Sequence, residues 1–562
     1  MNPLPQSNPL VAVAYGGGQF VAVGWKGAIV RSADASSWTI LAPQTANSLQ
    51  AITYGGGRFV AAGSYGTILA SEDGLNWTLW TSSPQDYFCG AARGAGRYVL
   101  VGERYDSAGD KYESLAMESE DGSHWSEGAG LRGAPLYAVA FNGEVFLAVG
   151  GSGAVQTSLD GLEWQPHVSG TGADLYGVAW GNGRFVAVGR AGTILESPDG
   201  VLWTAVEVPA LSDIYGISWD GARFTIVGNG GVVLSSPEGE TWTPERSATT
   251  SWLYGNVSES GLRVAVGLYG TICTSASGGD WRLVTRGTQE PLFGAAWDGK
   301  RFVAVGGLEA ASVQKSQDGD EWTPVKLGQN KGKPRLTDIA WNGKIFVAVG
   351  HTGTVLRSRD GTKWSAVKPA TPNHLYGVAW GGGRFVAVGA GGAVMSSQNG
   401  KAWTLRDSGT TKNLIRVAWG AGRFLAAGQY GALLTSPDGE NWTSVTTGTL
   451  DHFSCVASDG QSFVIAGTGY DSGDGIFFSS PDGVNWQDRT PAGHWPRLFS
   501  AHWTGKEYLV GGEWGQLFES ADGLAWASQS LDTSNGFYGF ASSLDGSLAI
   551  GEGGTILLQE CP

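Results

Sequence analysis

Residues 175–206 read LYGVAWGNGRFVAVGRAGTILESPDGVLWTAV, and the stretch recurs with decay from one end of the 562-residue chain to the other. Its most durable piece is Ser-x-Asp-Gly-x-x-Trp, carried here by Ser197, Asp199, Gly200 and Trp203. The tryptophan of that piece returns at Trp38, Trp77, Trp125, Trp164, Trp203, Trp242, Trp281, Trp322, Trp364, Trp403, Trp442, Trp486 and Trp526, most steps being 39 residues. A fixed period of that size marks a repeat architecture. Within it, LYGVAW, RFVAVG, GTILES and WTAV are short runs rich in β-branched or aromatic residues and bounded by glycine, the pattern of β-strands. Gly181-Asn182-Gly183 joins the first run to the second, and Asp199-Gly200 the third to the fourth; both are hairpin signals. One four-stranded sheet per roughly 40 residues predicts a β-propeller blade. Nothing in the chain has a period of about 3.6 residues, which excludes a helical solenoid.

Thirteen repeats carry the tryptophan, and residues 537–562 form a fourteenth that stops after three strands. The fold class is therefore all-β, fourteen four-stranded blades. Propellers typically hold about four to eight blades, so two rings of seven, residues 1–279 and 280–562, are expected ahead of a single ring or a division such as six plus eight. The break is placed where the motif aspartate is replaced by Ser277. Closure is expected by strand exchange, with residues 1–8 completing the first ring and the strand after Trp281 completing the second.

The Ser-x-Asp-Gly-x-x-Trp pieces resemble the Asp-box of the sialidase-type and BNR-repeat β-propellers, in a form shortened by one residue. Nine are complete, those ending at Trp77, Trp125, Trp164, Trp203, Trp322, Trp364, Trp442, Trp486 and Trp526. The resemblance implies a structural turn between third and fourth strands, away from any active site. Two tandem rings of this kind also resemble the xyloglucanase architecture, and one ring resembles the photosystem II stability and assembly factor.

Composition narrows the function. Net charge is −15 with a sequence pI near 5.0, so no basic face is expected to neutralise phosphates and nucleic acid is not an expected partner. No segment approaches the roughly 20 apolar residues of a spanning helix. No signal peptide opens the chain, yet acidic repeats rich in glycine and tryptophan suit an exported protein, periplasmic or extracellular, acting as a monomer. Cys89, Cys273, Cys455 and Cys561 have no metal-ligand spacing and read as small apolar residues. No cofactor is implied, and GxSxG, HExxH and phosphate-binding loops are absent from the sequence.

Of 25 tryptophans, 20 follow the template and read as core. Trp25, Trp252, Trp495 and Trp514 fall outside it, in loops on the face opposite the Asp-box turns. With Tyr65, Tyr269, Tyr430 and Tyr470 they form two aromatic sectors, one per ring, suited to sugar stacking or a protein hot spot. Tyr137, Tyr176, Tyr215, Tyr254, Tyr376 and Tyr538 begin first strands and read as inter-blade packing at a channel mouth. The leading function is thus a non-catalytic binding or scaffold protein for carbohydrate or an exported protein. An alternative is a glycoside hydrolase with a carboxylate pair in a cleft between the propellers. It would need two carboxylates about 5–5.5 Å or 6.5–9.5 Å apart, drawn from Glu103, Asp106, Asp471, Glu513 and their neighbours. A second alternative is an assembly factor for a membrane complex. Asp106 and Asp110, or Asp471 and Asp474, offer oxygen ligands for Ca²⁺ in the two loops that break the period.

Overall fold

The computed structural model describes residues 8–560 except 108, 132, 209–211, 260, 277–279, 285–287, 289, 309, 320, 321, 331, 532, 534, 544 and 545. Among these residues the chain forms thirteen four-stranded antiparallel sheets and one three-stranded sheet, strands adjacent in sequence being adjacent in each sheet. The fold is all-β and gives two seven-bladed propellers. The chain divides into two compact units, Leu4–Thr285 and a second containing Arg286–Pro562. In the first unit seven innermost strands follow one another in chain order, and Leu10–Gly16 closes the circle against Leu253–Glu259. In the second, Leu292–Trp297 closes against Phe537–Ser542.

Each blade buries its apolar face only against the next. One cluster joins Leu147, Val149 and Val155 of the fourth blade to Leu175, Phe185 and Leu195 of the fifth. Phe185 has no exposed surface, which alone contributes about 1.5–3 kcal/mol. The core is thus a ring of nearest-neighbour interfaces, the energetics expected of a repeat. Gly189 ends the second strand because a Cβ there would lie 2.0 Å from the Asp174 carbonyl oxygen.

The Ser-x-Asp-Gly-x-x-Trp piece folds as a closed hydrogen-bonded turn. Asp199 Oδ1 accepts from Val201 N–H and Leu202 N–H at 2.8 and 2.9 Å. Ser197 Oγ accepts from Gly200 N–H at 2.8 Å, and Trp203 Nε1 donates to the Gly200 carbonyl at 3.1 Å. Gly200 has φ +79°, a conformation glycine adopts without a steric cost. The carboxylate satisfies backbone donors that would otherwise lack partners.

The expected strand exchange needs correction at one end. Arg282–Leu283 pairs with Cys273 and Thr274 as the fourth strand of the seventh blade, so it does not close the second ring. A substitute anchor explains this. Trp281 Nε1 donates to Glu245 Oε2 at 2.7 Å, and the Arg263 guanidinium lies 4.9 Å from its ring centre. Residues 277–279, where the motif aspartate is missing, and residues 1–7, the other exchange strand, lie outside the described residues.

Candidate binding face

In an antiparallel blade the aspartate turns and the first hairpins share one end, while the turns between second and third strands share the other. In ten blades those second turns are single 3₁₀ turns whose middle residue is left-handed, and the turn at Tyr430 shares that left-handed residue. Lys26, Tyr65, Ser152, Ala191, Gly230, Tyr269, Thr352, Gly391, Tyr430, Trp514 and Gly553 hold φ between 50° and 66°. The middle N–H is fixed by the next blade: Ser152 N–H donates to Asp174 Oδ1 at 2.7 Å, Ala191 N–H to Asp213 Oδ1 at 2.8 Å and Gly391 N–H to Asn413 Oδ1 at 2.9 Å. Left-handed φ disfavours bulky residues. Yet Tyr65, Tyr430 and Trp514 occupy it with 64%, 46% and 65% of their surface exposed. Lys26, Ser152, Ala191 and Thr352 hold the same conformation in their turns, so the backbone there is set by the repeat and the aromatic side chains are what differs.

A second device acts at the axis of the first propeller. In all fourteen innermost strands the register slips by one residue near the start of the strand, a bulge that turns that side chain out of the sheet. In blades four to seven the bulged residue is Tyr137, Tyr176, Tyr215 and Tyr254. Their rings form a chain around the axis, with centres 6.0, 5.5 and 5.4 Å apart. Trp252 joins it, 6.1 Å from Tyr215 and 6.4 Å from Tyr254. The arc borders an axial cavity of about 390 Å³, completed by Val11, Gln50 and Cys89 at the same position of blades one to three. Burial pushes the Tyr137 and Tyr254 hydroxyls up to about 12, helped at Tyr137 by Asp174 and Glu103. They are therefore neutral donors at physiological pH.

The other expected site residues are distributed as follows. Trp25 is 45% and Trp252 41% exposed, and Tyr269 is half-buried. Among the described residues the Trp252 ring meets the arc, whereas the Trp25 and Tyr65 rings make no ring contact with it. In the second propeller Tyr430 and Tyr470 come together at 6.0 Å, bridged by His452 at 4.7 and 5.8 Å. Trp514 is exposed in its turn. Trp495 departs from the expectation: its ring packs 5.2 Å from Phe518 against the blade core, and its Nε1 donates to the Pro491 carbonyl. An apolar ring with a core alongside has no reason to stay in water.

The carboxylates are largely engaged locally. Asp106 accepts from Gly109 N–H, Asp110 from the Tyr105 hydroxyl, Asp474 pairs with His494 and Glu513 lies 3.7 Å from Arg497. Asp471 is exposed. Glu103 is half-buried, and burial raises its pKa. Among the described residues no group of three His, Cys, Asp or Glu side chains is placed to hold a metal ion.

Sequence reasoning missed two features. His351 and His374 stack at 4.3 Å, with Arg335 Nε donating to His351 Nε2. Burial, then Arg335 and His374, lowers the His351 pKa to about 4. The expectation that no basic face exists also needs correction, because Arg357, Arg359, Lys363, Lys368 and Lys401 line one groove of the second propeller. Net charge averages over the surface and hides such a local reversal.

Residues 292–415 match the family described as the DUF6242 beta propeller domain. No curated protein matches the chain in sequence. Among solved structures the chain is similar to PorZ, described as an essential bacterial surface component of the type-IX secretion system of Porphyromonas gingivalis, at 12% identity and TM-score 0.68, over 99% of this chain and 86% of that one. It is also similar to a GH74 xyloglucanase from Xanthomonas campestris, at 15% identity and TM-score 0.43, over 93% and 98%. YCF48 bound to D1 peptide aligns at 20% identity and TM-score 0.41, over 49% and 95%. The likeness to PorZ shows a shared β-propeller fold.

Proposed function

We propose that this protein is a non-catalytic binding protein whose first propeller takes carbohydrate across its axial mouth. The observation that carries the reading is the unbroken arc of Tyr137, Tyr176, Tyr215 and Tyr254, extended by Trp252. Aromatic faces stack on the C–H faces of a sugar ring, and half-buried, neutral tyrosine hydroxyls supply directional hydrogen bonds. A rigid ring of blades holds these groups in place without further ordering on binding.

The reading in which the ligand is a segment of an exported protein draws on Tyr65, Tyr430 and Trp514, exposed in left-handed turns, since tyrosine and tryptophan dominate protein hot spots. The hydrolase reading draws less support, because Asp106, Asp474 and Glu513 each already hold a loop contact. Export to the periplasm or cell surface belongs to the same proposal, and PorZ, of like fold, is a bacterial surface component.

The test is a glycan array run beside a reducing-sugar release assay. Binding without release, lost in Tyr176→Ala and Trp252→Ala, is expected. Release of sugar that Glu513→Gln abolishes would replace this reading with the hydrolase. Silence on the array, with binding of an exported protein that the same aromatic substitutions abolish, would replace carbohydrate with protein.

A further inference from the structure

The groove of about 630 Å³ along the outer strands of the ninth blade is lined by Arg357, Arg359, Lys363, Lys368 and Lys401, with Asp360 as its single acidic lining residue. At equivalent places in other blades arginines are matched to carboxylates. Arg184 pairs with both Glu196 and Glu240, and Arg384 and Arg406 share Glu440. Among the described residues none of the five groove cations forms an ion pair or a side-chain hydrogen bond. Asp360 is already engaged by the Thr362 and Lys363 N–H groups at 2.9 Å each.

Against the fifth and sixth blades the mismatch is a reversal of charge, at positions that are uncharged in most other blades. Aligned on the motif tryptophan, Arg357 stands where the fifth blade has Glu196, and Lys368 where it has Glu207. Lys401 stands where the sixth and eleventh blades have Glu240 and Glu440. The arginine that those acids embrace is replaced by Ile345. The packing confirms the equivalence: Ile345 lies beneath Gly400 as Arg184 lies beneath Gly239 and Arg384 beneath Gly439. Relative to those blades Glu196, Glu207 and Glu240 give way to Arg357, Lys368 and Lys401, and the arginine that Glu196 and Glu240 hold gives way to Ile345, so the groove lacks the negative charge found there. Uncompensated like charges at close quarters repel, and an anionic occupant relieves that repulsion.

The groove also runs along the outermost strand of its sheet, Trp364–Val367, whose outer edge pairs with no strand among the described residues. Ser365, Ala366 and Val367 line it. An open edge offers main-chain donors and acceptors to an extended polypeptide, a mode closed to a sugar polymer. We infer that this groove is a separate docking site for an extended acidic peptide segment of a partner protein. The inference stands independently of the axial site.

The test is fluorescence anisotropy on the full chain at low salt, with a labelled peptide alternating glutamate and serine. Its counterpart with glutamine for glutamate, polygalacturonate and inorganic phosphate serve as competitors. Arg357→Glu combined with Lys401→Glu introduces the acids that the fifth and sixth blades carry at these positions; a melting curve matching the parent's checks that the fold accommodates them. Arg359→Ser with Lys363→Ser is a second, fully surface variant. The acidic peptide is expected to bind, with affinity falling as salt rises and falling at least about tenfold in either variant. The glutamine peptide is expected to bind at least about tenfold more weakly. Equal binding of the two peptides, or binding that both variants leave intact, overturns the inference. Phosphate displacing the peptide at equal charge concentration reduces the groove to an oxyanion site, and polygalacturonate binding where the peptide fails removes the polypeptide; each overturns it.

Discussion

Arg263→Leu tests how the seventh blade holds its last strand without an aspartate turn. The Arg263 side chain is 2% exposed and that of Glu245 18%. The guanidinium donates to Glu245 at 2.8 Å and to Ser275 Oγ at 2.9 Å, and stacks over Trp281. Removing it strands a partly buried carboxylate that keeps only the neutral donors Trp281 Nε1 and Ser235. Breaking a buried pair from one side costs about 3–5 kcal/mol, a fall of roughly 6–20 °C in the melting temperature of the first propeller. Calorimetry on the full chain reads it as a shift of one transition. Adding Glu245→Leu should recover most of the loss, because neither charge is then buried alone. Burial raises the Glu245 pKa, but hydrogen bonds from Arg263, Ser235 and Trp281 outweigh it and leave the value lowered. Its stabilisation is therefore present above about pH 4.3, the unfolded value, and lost as pH falls through the folded one. The gap between parent and variant should narrow in acid. A single-substitution cost under about 1 kcal/mol at neutral pH would refute the substitute-anchor account.

Tyr65→Gly should stabilise the first propeller by about 1 kcal/mol in urea titration, because φ +55° costs tyrosine what it does not cost glycine; destabilisation would show that the ring packs on its neighbours. Asp438→Ala removes an acceptor for Glu440 N–H and Asn441 N–H and should cost about 1 kcal/mol, like the loss of a helix cap. The turn hydrogen bonds hold Asp438 well below the usual carboxylate range, so the cost should shrink as pH falls below about 4. His502 is held near 4 by burial and bonds to Ser542 Oγ at 2.9 Å. The unfolded chain takes up its proton near pH 6.5, so the second propeller should lose stability between pH 6.5 and about 4. His502→Gln should flatten that slope in a melting series.

The blade repeat was legible because hairpin chemistry and alternating apolar residues recur at fixed spacing around Trp203 and its counterparts. The role of Trp281 was not, since its anchor, Glu245, lies 36 residues away on the neighbouring blade. Tyr137, Tyr176, Tyr215 and Tyr254 were legible as inter-blade contacts, whereas the bulge that aims them at the axis appears only in the pairing register. Trp495 could not be separated from Trp514 by sequence, as both interrupt the template and only packing against Phe518 distinguishes them. The charge reversal at Arg357, Lys368 and Lys401 was present in the repeat alignment but masked by a net charge of −15.

The most direct measurement is titration of an array-identified glycan into the parent protein, Tyr176→Ala, Trp252→Ala and, as a control on the aspartate-turn end, Leu202→Ala. The account predicts that each aromatic substitution weakens binding at least about tenfold, the cost of losing a stacking platform, while Leu202→Ala binds like the parent. Parent-like affinity in both aromatic variants, or loss confined to Leu202→Ala, would contradict it.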